Sequence, residues 1–316
     1  MKKPVKKIIT LSALLFTGMH IFNEYTDASL APMQPVKNDK IYQWKTMNIH
    51  YTEKGSSDHK PLLLLHNLCP SSSKEEWCQV DHSLSLKYHI FELDLPGCGK
   101  SSKPNITYIN YMYVELLHDF IQEIIGSKTN ICATAFSSSF TLMTARIYPE
   151  ILEKIIIINP TSFEKLYAPV SKEGKIKEKI LELPVIGTFL YNCIMSKSAI
   201  TDQYQYKYYY NENSISEQAI DNSYYHAHYN HSAGKYLFGS MLANYTNINI
   251  IHALPKINHA IVFIGNNNYK HIFEEYKKYN PSIQTEYVSH CRLLPQLEIP
   301  ETIIEKIKNI IYTDEQ

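Results

Sequence analysis

The chain has 316 residues, 44% of them hydrophobic, enough to bury a large core as one big α/β domain or two smaller ones. Its formal charge is zero, with 31 basic and 31 acidic side chains, so no basic stripe argues for nucleic acid and no acidic tail for a solvating arm. The six cysteines form no CxxC pair and no metal-ligand spacing, which points away from a disulfide framework and from a cysteine-held metal.

The N-terminus carries the first predicted element. MKKPVKK sets four lysines ahead of the apolar run Ile8–Phe22, and basic first, apolar second is the order of a signal peptide or a signal-anchor. The run is about 15 residues, short of the roughly 20 that span a bilayer comfortably. Thr10, Ser12, Thr17 and His20 weaken it further. Residues 1–27 are read as a signal-anchor that meets the membrane through Ile8–Phe22, leaving the body on the extracytoplasmic face by the positive-inside rule. Cleavage near Thr26–Ala28 would instead release a secreted protein. Residues 28–40 are polar with two prolines and read as a linker.

Apolar runs then recur at regular intervals. MNIHYTEKG alternates, as an antiparallel edge strand does. Pro61–His66, Tyr88–Leu95, Asn130–Ala135, Lys154–Pro160, His259–Gly265 and Thr285–His290 are short and mostly continuously apolar or β-branched. Strands buried on both faces of a parallel sheet have that composition. Helical patterns separate them at Asn110–Ile125, Phe136–Tyr148, Tyr269–Tyr279 and Pro300–Tyr312. The alternation predicts an α/β fold with a mostly parallel, doubly wound sheet. Its core occupies residues 41–161 and 257–316. Residues 162–256, rich in tyrosine, break the pattern and are expected to form a helical cap over the sheet, where substrate-shaping material usually sits.

Several motifs carry a resemblance. LLLLHNLCPSSSKEEW, ELDLPGCGKSSKP, NICATAFSSSFTLMTARIYPE and LPQLEIPE follow one another in the chain, each in a strand or loop context. Together they resemble the α/β-hydrolase fold family. That resemblance implies a nucleophile on a strained strand-to-helix elbow, an acid after a later strand and a histidine near the C-terminus. It implies no cofactor and no metal.

Two registers are open at the elbow. Without gaps, the family's nucleophile position falls on Ala135, which has no nucleophilic atom. A second register puts Ser137 there, at the expense of rotating the following helix about 200° at 3.6 residues per turn. The acid position matches Asn268 and the histidine position Leu293, neither of which supplies the usual chemistry. An Asp→Asn change in a protease triad costs about 10⁴ in turnover. Asn67 stands where the oxyanion loop usually has glycine, and the backbone N–H groups of Leu68 and Phe136 would form the anion notch.

Two expectations follow. In the first, the protein keeps a capped pocket for a small apolar or ester-like ligand without the usual reaction. In the second, it is an active esterase or amidase using Ser137, a relocated His290 and Glu164 or Asn268. His226, His228 and His231, with Asp221 the nearest carboxylate, are read as part of a polar cap helix rather than a metal site. Asp94 and Gly97 are read as turn-forming residues.

Overall fold

The computed structural model describes residues 3–30 and 39–312. Helix α1 (Lys3–Ala28) precedes a sheet of eight strands. These are β1 (Asp39–Trp44), β2 (Met47–Lys54), β3 (Pro61–Leu65), β4 (His89–Leu93), β5 (Thr129–Thr134), β6 (Leu152–Ile158), β7 (Ala260–Gly265) and β8 (Gln284–Tyr287). Their spatial order is β1-β2-β4-β3-β5-β6-β7-β8, with β1, β2 and β4 paired antiparallel and every other pairing parallel.

The continuous apolar strands are buried on both sides because alternate side chains serve two cores. Leu63, Leu65, Ile155 and Ile157 pack on one face, and Leu62, Leu64, Ile156 and Ile158 on the other. Helix α2 (Asp81–Ser85) brings Leu84 to the second face, while α3 (Asn110–Phe120) and α4 (Ser137–Ile147) bring Tyr113, Phe120 and Phe140 to the first.

Between β6 and β7 the regular elements are all helical. They comprise α5 (Phe163–Tyr167), α6 (Lys172–Glu182), α7 (Ile186–Ile194), α8 (Lys197–Gln203), α9 (Glu217–Ser232) and α10 (Gly234–Leu242), with short 3-10 and π turns. After β7 come α11 (Lys270–Tyr279), α12 (Pro295–Glu298) and α13 (Pro300–Tyr312).

Several expectations need correction. MNIHYTEKG forms β2, but β1 lies outside it and takes the edge. The expected linker falls mainly on residues 31–38, outside the described residues, and its last two residues open β1. Helix α3 ends at Phe120, and Ile121–Ile125 continue as a π turn closed by Gly126 at φ +71°, a conformation glycine adopts at little cost. Among the described residues no helix is long and apolar enough to cross a membrane, so a spanning signal-anchor is not supported.

The end of α1 is built into the helical layer. Asn23 is buried, donating from Nδ2 to the Val185 carbonyl at 3.0 Å and accepting from Asn192 Nδ2 at 3.1 Å. Asn192 Oδ1 in turn accepts from Ser232 Oγ at 2.6 Å. Phe22 meets Phe189 edge to face with ring centroids 5.3 Å apart. The earlier turns expose Ile8, Leu11, Leu14, Leu15 and Ile21.

Candidate functional site

At the tip of β5 the chain turns sharply into α4. Ala135 still donates its N–H to the Ile158 carbonyl of β6 at 2.9 Å, yet has φ +49°. A non-glycine residue in that left-handed region carries roughly 1–2 kcal/mol of strain. Strain held at a strand-to-helix turn, with the residue aimed out of the sheet, is the geometry of a nucleophile elbow. The side chain presented there is a methyl group.

The three serines that follow are fully buried, and each hydroxyl is committed to a backbone carbonyl. Ser137 Oγ donates to His66 at 2.5 Å, Ser138 Oγ to Ala135 at 2.6 Å and Ser139 Oγ to Phe136 at 2.9 Å. Short polar side chains at a helix start readily bond nearby backbone in this way. Ser137 therefore serves the joint between α4 and the loop after β3.

That loop sets the second feature. His66 is buried; its Nδ1–H donates to the Asn67 carbonyl at 2.7 Å, and its Nε2 accepts from the Leu95 N–H at 3.0 Å. Burial lowers its pKa to about 4, so the ring is neutral and structural. Asn67 N–H donates to the Glu76 carboxylate at 2.9 Å, and burial pushes that carboxyl up to about 7. The Asn67 side-chain oxygen accepts from Phe136 N–H at 3.2 Å. The N–H that would stabilise an oxyanion is thus already bonded to the protein's own amide.

A cavity of about 220 Å³ opens over this turn. Ala135, Asn67, Leu68, Phe136 and Leu293 line it together, so two of the three positions matched to the family's triad share it with the expected notch residues. Asn268 does not line it; it is exposed, with its N–H bonded to Asn266 Oδ1 at 2.8 Å. Leu293 is held in place by Asn159, whose Nδ2 donates to the carbonyls of Arg292 at 2.9 Å and Leu293 at 3.0 Å. Asn266 holds the chain two residues earlier, donating from Nδ2 to the Cys291 carbonyl at 2.6 Å.

The alternative catalytic set is not assembled. His290 is exposed, its ring 5.7 Å from Tyr210 in a separate shallow depression. Glu164 is exposed in the first turn of α5 and lines no described cavity containing Ser137 or His290. The three histidines expected on a cap helix all fall on α9 and do not converge. His226 is buried with Nε2 3.5 Å from Glu75, the His228 ring packs against Tyr224 at a tilt, and His231, within a kink in α9, pairs with Asp27 at 2.9 Å.

Sequence reasoning missed Asn159, Glu76, Lys165 and Lys207. Asn159 alone had a local signal, since asparagine tolerates the φ of +49° that it adopts at the end of β6. The lysines reach the cavity mouth from two helical segments far apart in the chain.

The mixed sheet, the elbow and the helical layer over the strand ends define an α/β-hydrolase architecture. Residues 60–193 match the alpha/beta hydrolase fold family, and the chain has the fold of that family. Lipase 1 of Psychrobacter immobilis is 26% identical over 40% of this chain and 40% of its own length; the chain thus spans about two-fifths of that curated relative. Among solved structures, a membrane phospholipase A superimposes with a TM-score of 0.67 at 17% identity, covering 98% of both chains. That extent cannot omit the 26 residues of α1. A serine hydrolase of carbazole degradation gives a TM-score of 0.68 at 16% identity, over 86% of this chain and 98% of its own. At such identities the likeness is one of fold.

Proposed function

We propose that this protein is a membrane-attached α/β-hydrolase-family member that has lost the serine-hydrolase reaction and keeps its covered cavity for a small ligand. The observation that carries this reading is the side chain at the elbow: Ala135 has the strained backbone of a nucleophile and no nucleophilic atom. The bond from Phe136 N–H to Asn67 and the leucine at position 293 support it from the two other sides of the cavity. An acyl-enzyme needs a nucleophile, a proton carrier and a free oxyanion site together. Here each position is occupied by a group that does something else.

Membrane attachment rests on α1. Ile8, Leu11, Leu14, Leu15 and Ile21 recur at helical spacing and are exposed, and Ile9 and Phe16 add exposed apolar surface on a second side of the helix. So much exposed apolar surface on one helix suits burial at a membrane interface. The lysines before it suit anionic headgroups. The extracytoplasmic face remains part of this reading, on the lysine-first order of the segment.

The test is fluorophosphonate labelling of the purified full chain, with vesicle flotation on the same preparation. The expected result is no labelled serine and co-flotation with anionic vesicles that Leu11→Ser/Leu14→Ser reduces. Stoichiometric labelling of any serine would end the non-catalytic reading, and flotation unchanged by the double substitution would end the attachment through α1.

A further inference from the structure

The cavity over Ala135 has a charge pattern that the lost chemistry does not explain. Lys165 and Lys207 both line it, and no aspartate or glutamate does. Neither lysine has an acidic partner within ion-pairing distance among the described residues. Their ammonium groups instead lie near aromatic rings, Lys165 Nζ 5.9 Å from the Phe136 ring and Lys207 Nζ 5.5 Å from the Tyr208 ring. Phe136 is the residue immediately after the elbow, so Lys165 stands directly over the cavity floor.

Two cations at one opening repel each other. Partial burial and the neighbouring Lys207 hold the Lys165 ammonium below the ordinary lysine range. Such a pair is relieved by an anion placed between its members. Besides the lysines, the walls combine apolar Leu68, Phe136, Met241, Ile272 and Leu293 with the uncharged polar side chains of Asn67, Asn159, Thr161 and Ser162. The volume of about 220 Å³ is below the roughly 300 Å³ at which ordinary small-molecule pockets begin, so the apolar portion of the occupant is short.

The geometry points to a small amphipathic carboxylate as the ligand, its apolar chain lying over Ala135 and Leu293 and its carboxylate between Lys165 and Lys207 at the mouth. This rests on the reading of the cavity as a binding site rather than a catalytic one. It assigns the charged contacts of the site to two residues of the helical layer and leaves Ala135 to contribute shape alone. The two positive charges disfavour an ammonium ligand of the same chain length, and an alcohol lacks the charge that the lysines attract.

The experiment is calorimetric titration of the full chain in phosphatidylcholine nanodiscs with hexanoate, hexanol and hexylammonium, with empty nanodiscs subtracted. Hexanoate is expected to bind at least ten times more tightly than hexanol, and hexylammonium not at all. Lys165→Gln/Lys207→Gln, with an unchanged melting temperature, is expected to lower hexanoate affinity at least tenfold and leave hexanol binding as it was. Equal binding of hexanoate and hexanol, retention of hexanoate affinity in the double variant, or no binding of hexanoate would each overturn the assignment. Labelling by a fluorophosphonate alongside lysine-dependent hexanoate binding would remove the non-catalytic reading and spare this one. Absence of labelling with no preference for the carboxylate would do the reverse.

Discussion

The side-chain oxygen of Asn67 sits 3.2 Å from the backbone nitrogen of Phe136 and accepts its hydrogen bond. Asn67 belongs to the loop after β3 and Phe136 to the turn after β5, adjacent strands whose C-terminal ends meet at the cavity. An amide on one loop therefore occupies the donor that a catalytic site of this fold would keep free. Restoring the nucleophile alone leaves that obstruction and supplies no proton carrier. Ala135→Ser is expected to fold and to hydrolyse p-nitrophenyl acetate no faster than the parent. Labelling by a fluorophosphonate is expected only when Asn67→Gly and Leu293→His are added. A single Ala135→Ser change that produced an active esterase would show the obstruction to be unimportant.

The backbone at the elbow predicts its own stability effect. Ala135 keeps φ +49° although its side chain performs no reaction, and glycine adopts that conformation without the clash of a Cβ. Ala135→Gly should raise stability by about 1 kcal/mol, the strain relieved less the added freedom of the unfolded chain. Urea unfolding of the two proteins measures it. A loss of more than 1 kcal/mol would mean that the methyl group's packing outweighs the strain.

Asn23 makes a different prediction. Its amide satisfies the Val185 carbonyl and Asn192 inside the packed junction of α1 with α7. Asn23→Ala leaves the buried Asn192 Nδ2 without its partner, at a cost of about 1–3 kcal/mol, while the Val185 carbonyl keeps the Phe189 N–H. Replacing Leu14, which is exposed on the same helix, should change thermal stability by less than about 0.5 kcal/mol. Equal effects of the two substitutions would mean that the junction does not form in solution.

Glu76 and His66 give opposite dependences on pH. Burial raises Glu76 from 4.5 to about 7, so its contribution is present below pH 4.5 and is lost as pH rises through 7. Burial lowers His66 from 6.5 to about 4, so its contribution is present above pH 6.5 and is lost as pH falls toward 4. Glu76→Gln keeps an acceptor for the Asn67 N–H and removes the ionisable group. Its stability relative to the parent should therefore improve between pH 5 and pH 8, by up to about 3 kcal/mol at the upper end. A difference independent of pH would show that Glu76 titrates normally.

Some of the site could be read directly from residue order. The gap-free match of AFSSSFTLMTARIYPE put Ala135 at the strand tip, and the positive φ is found at that residue. A strand of six residues followed by a helix leaves little freedom in where the turn falls. The same reasoning offered Ser137 as a substitute nucleophile, because a sequence cannot say which way a hydroxyl on the first helical turn points. The third face of the cavity was not legible either. Lys165 and Lys207 are 42 positions apart (207 − 165), on segments whose relative placement depends on how α6 to α9 pack.

The amino-acid sequence by itself determined the mostly parallel sheet, the order of its elements and the helical interruption before β7, and it narrowed the elbow to Ala135 or Ser137. These follow from short-range patterns, since the burial of a strand and the sharpness of a turn are encoded within a few residues. The tertiary structure alone decided that Asn67 bonds to Phe136, that the three serines are consumed by backbone carbonyls, that His290 lies away from the cavity and that two unpaired lysines face it. Each of those depends on side-chain direction and on contacts between segments distant in the chain, which no local spacing specifies.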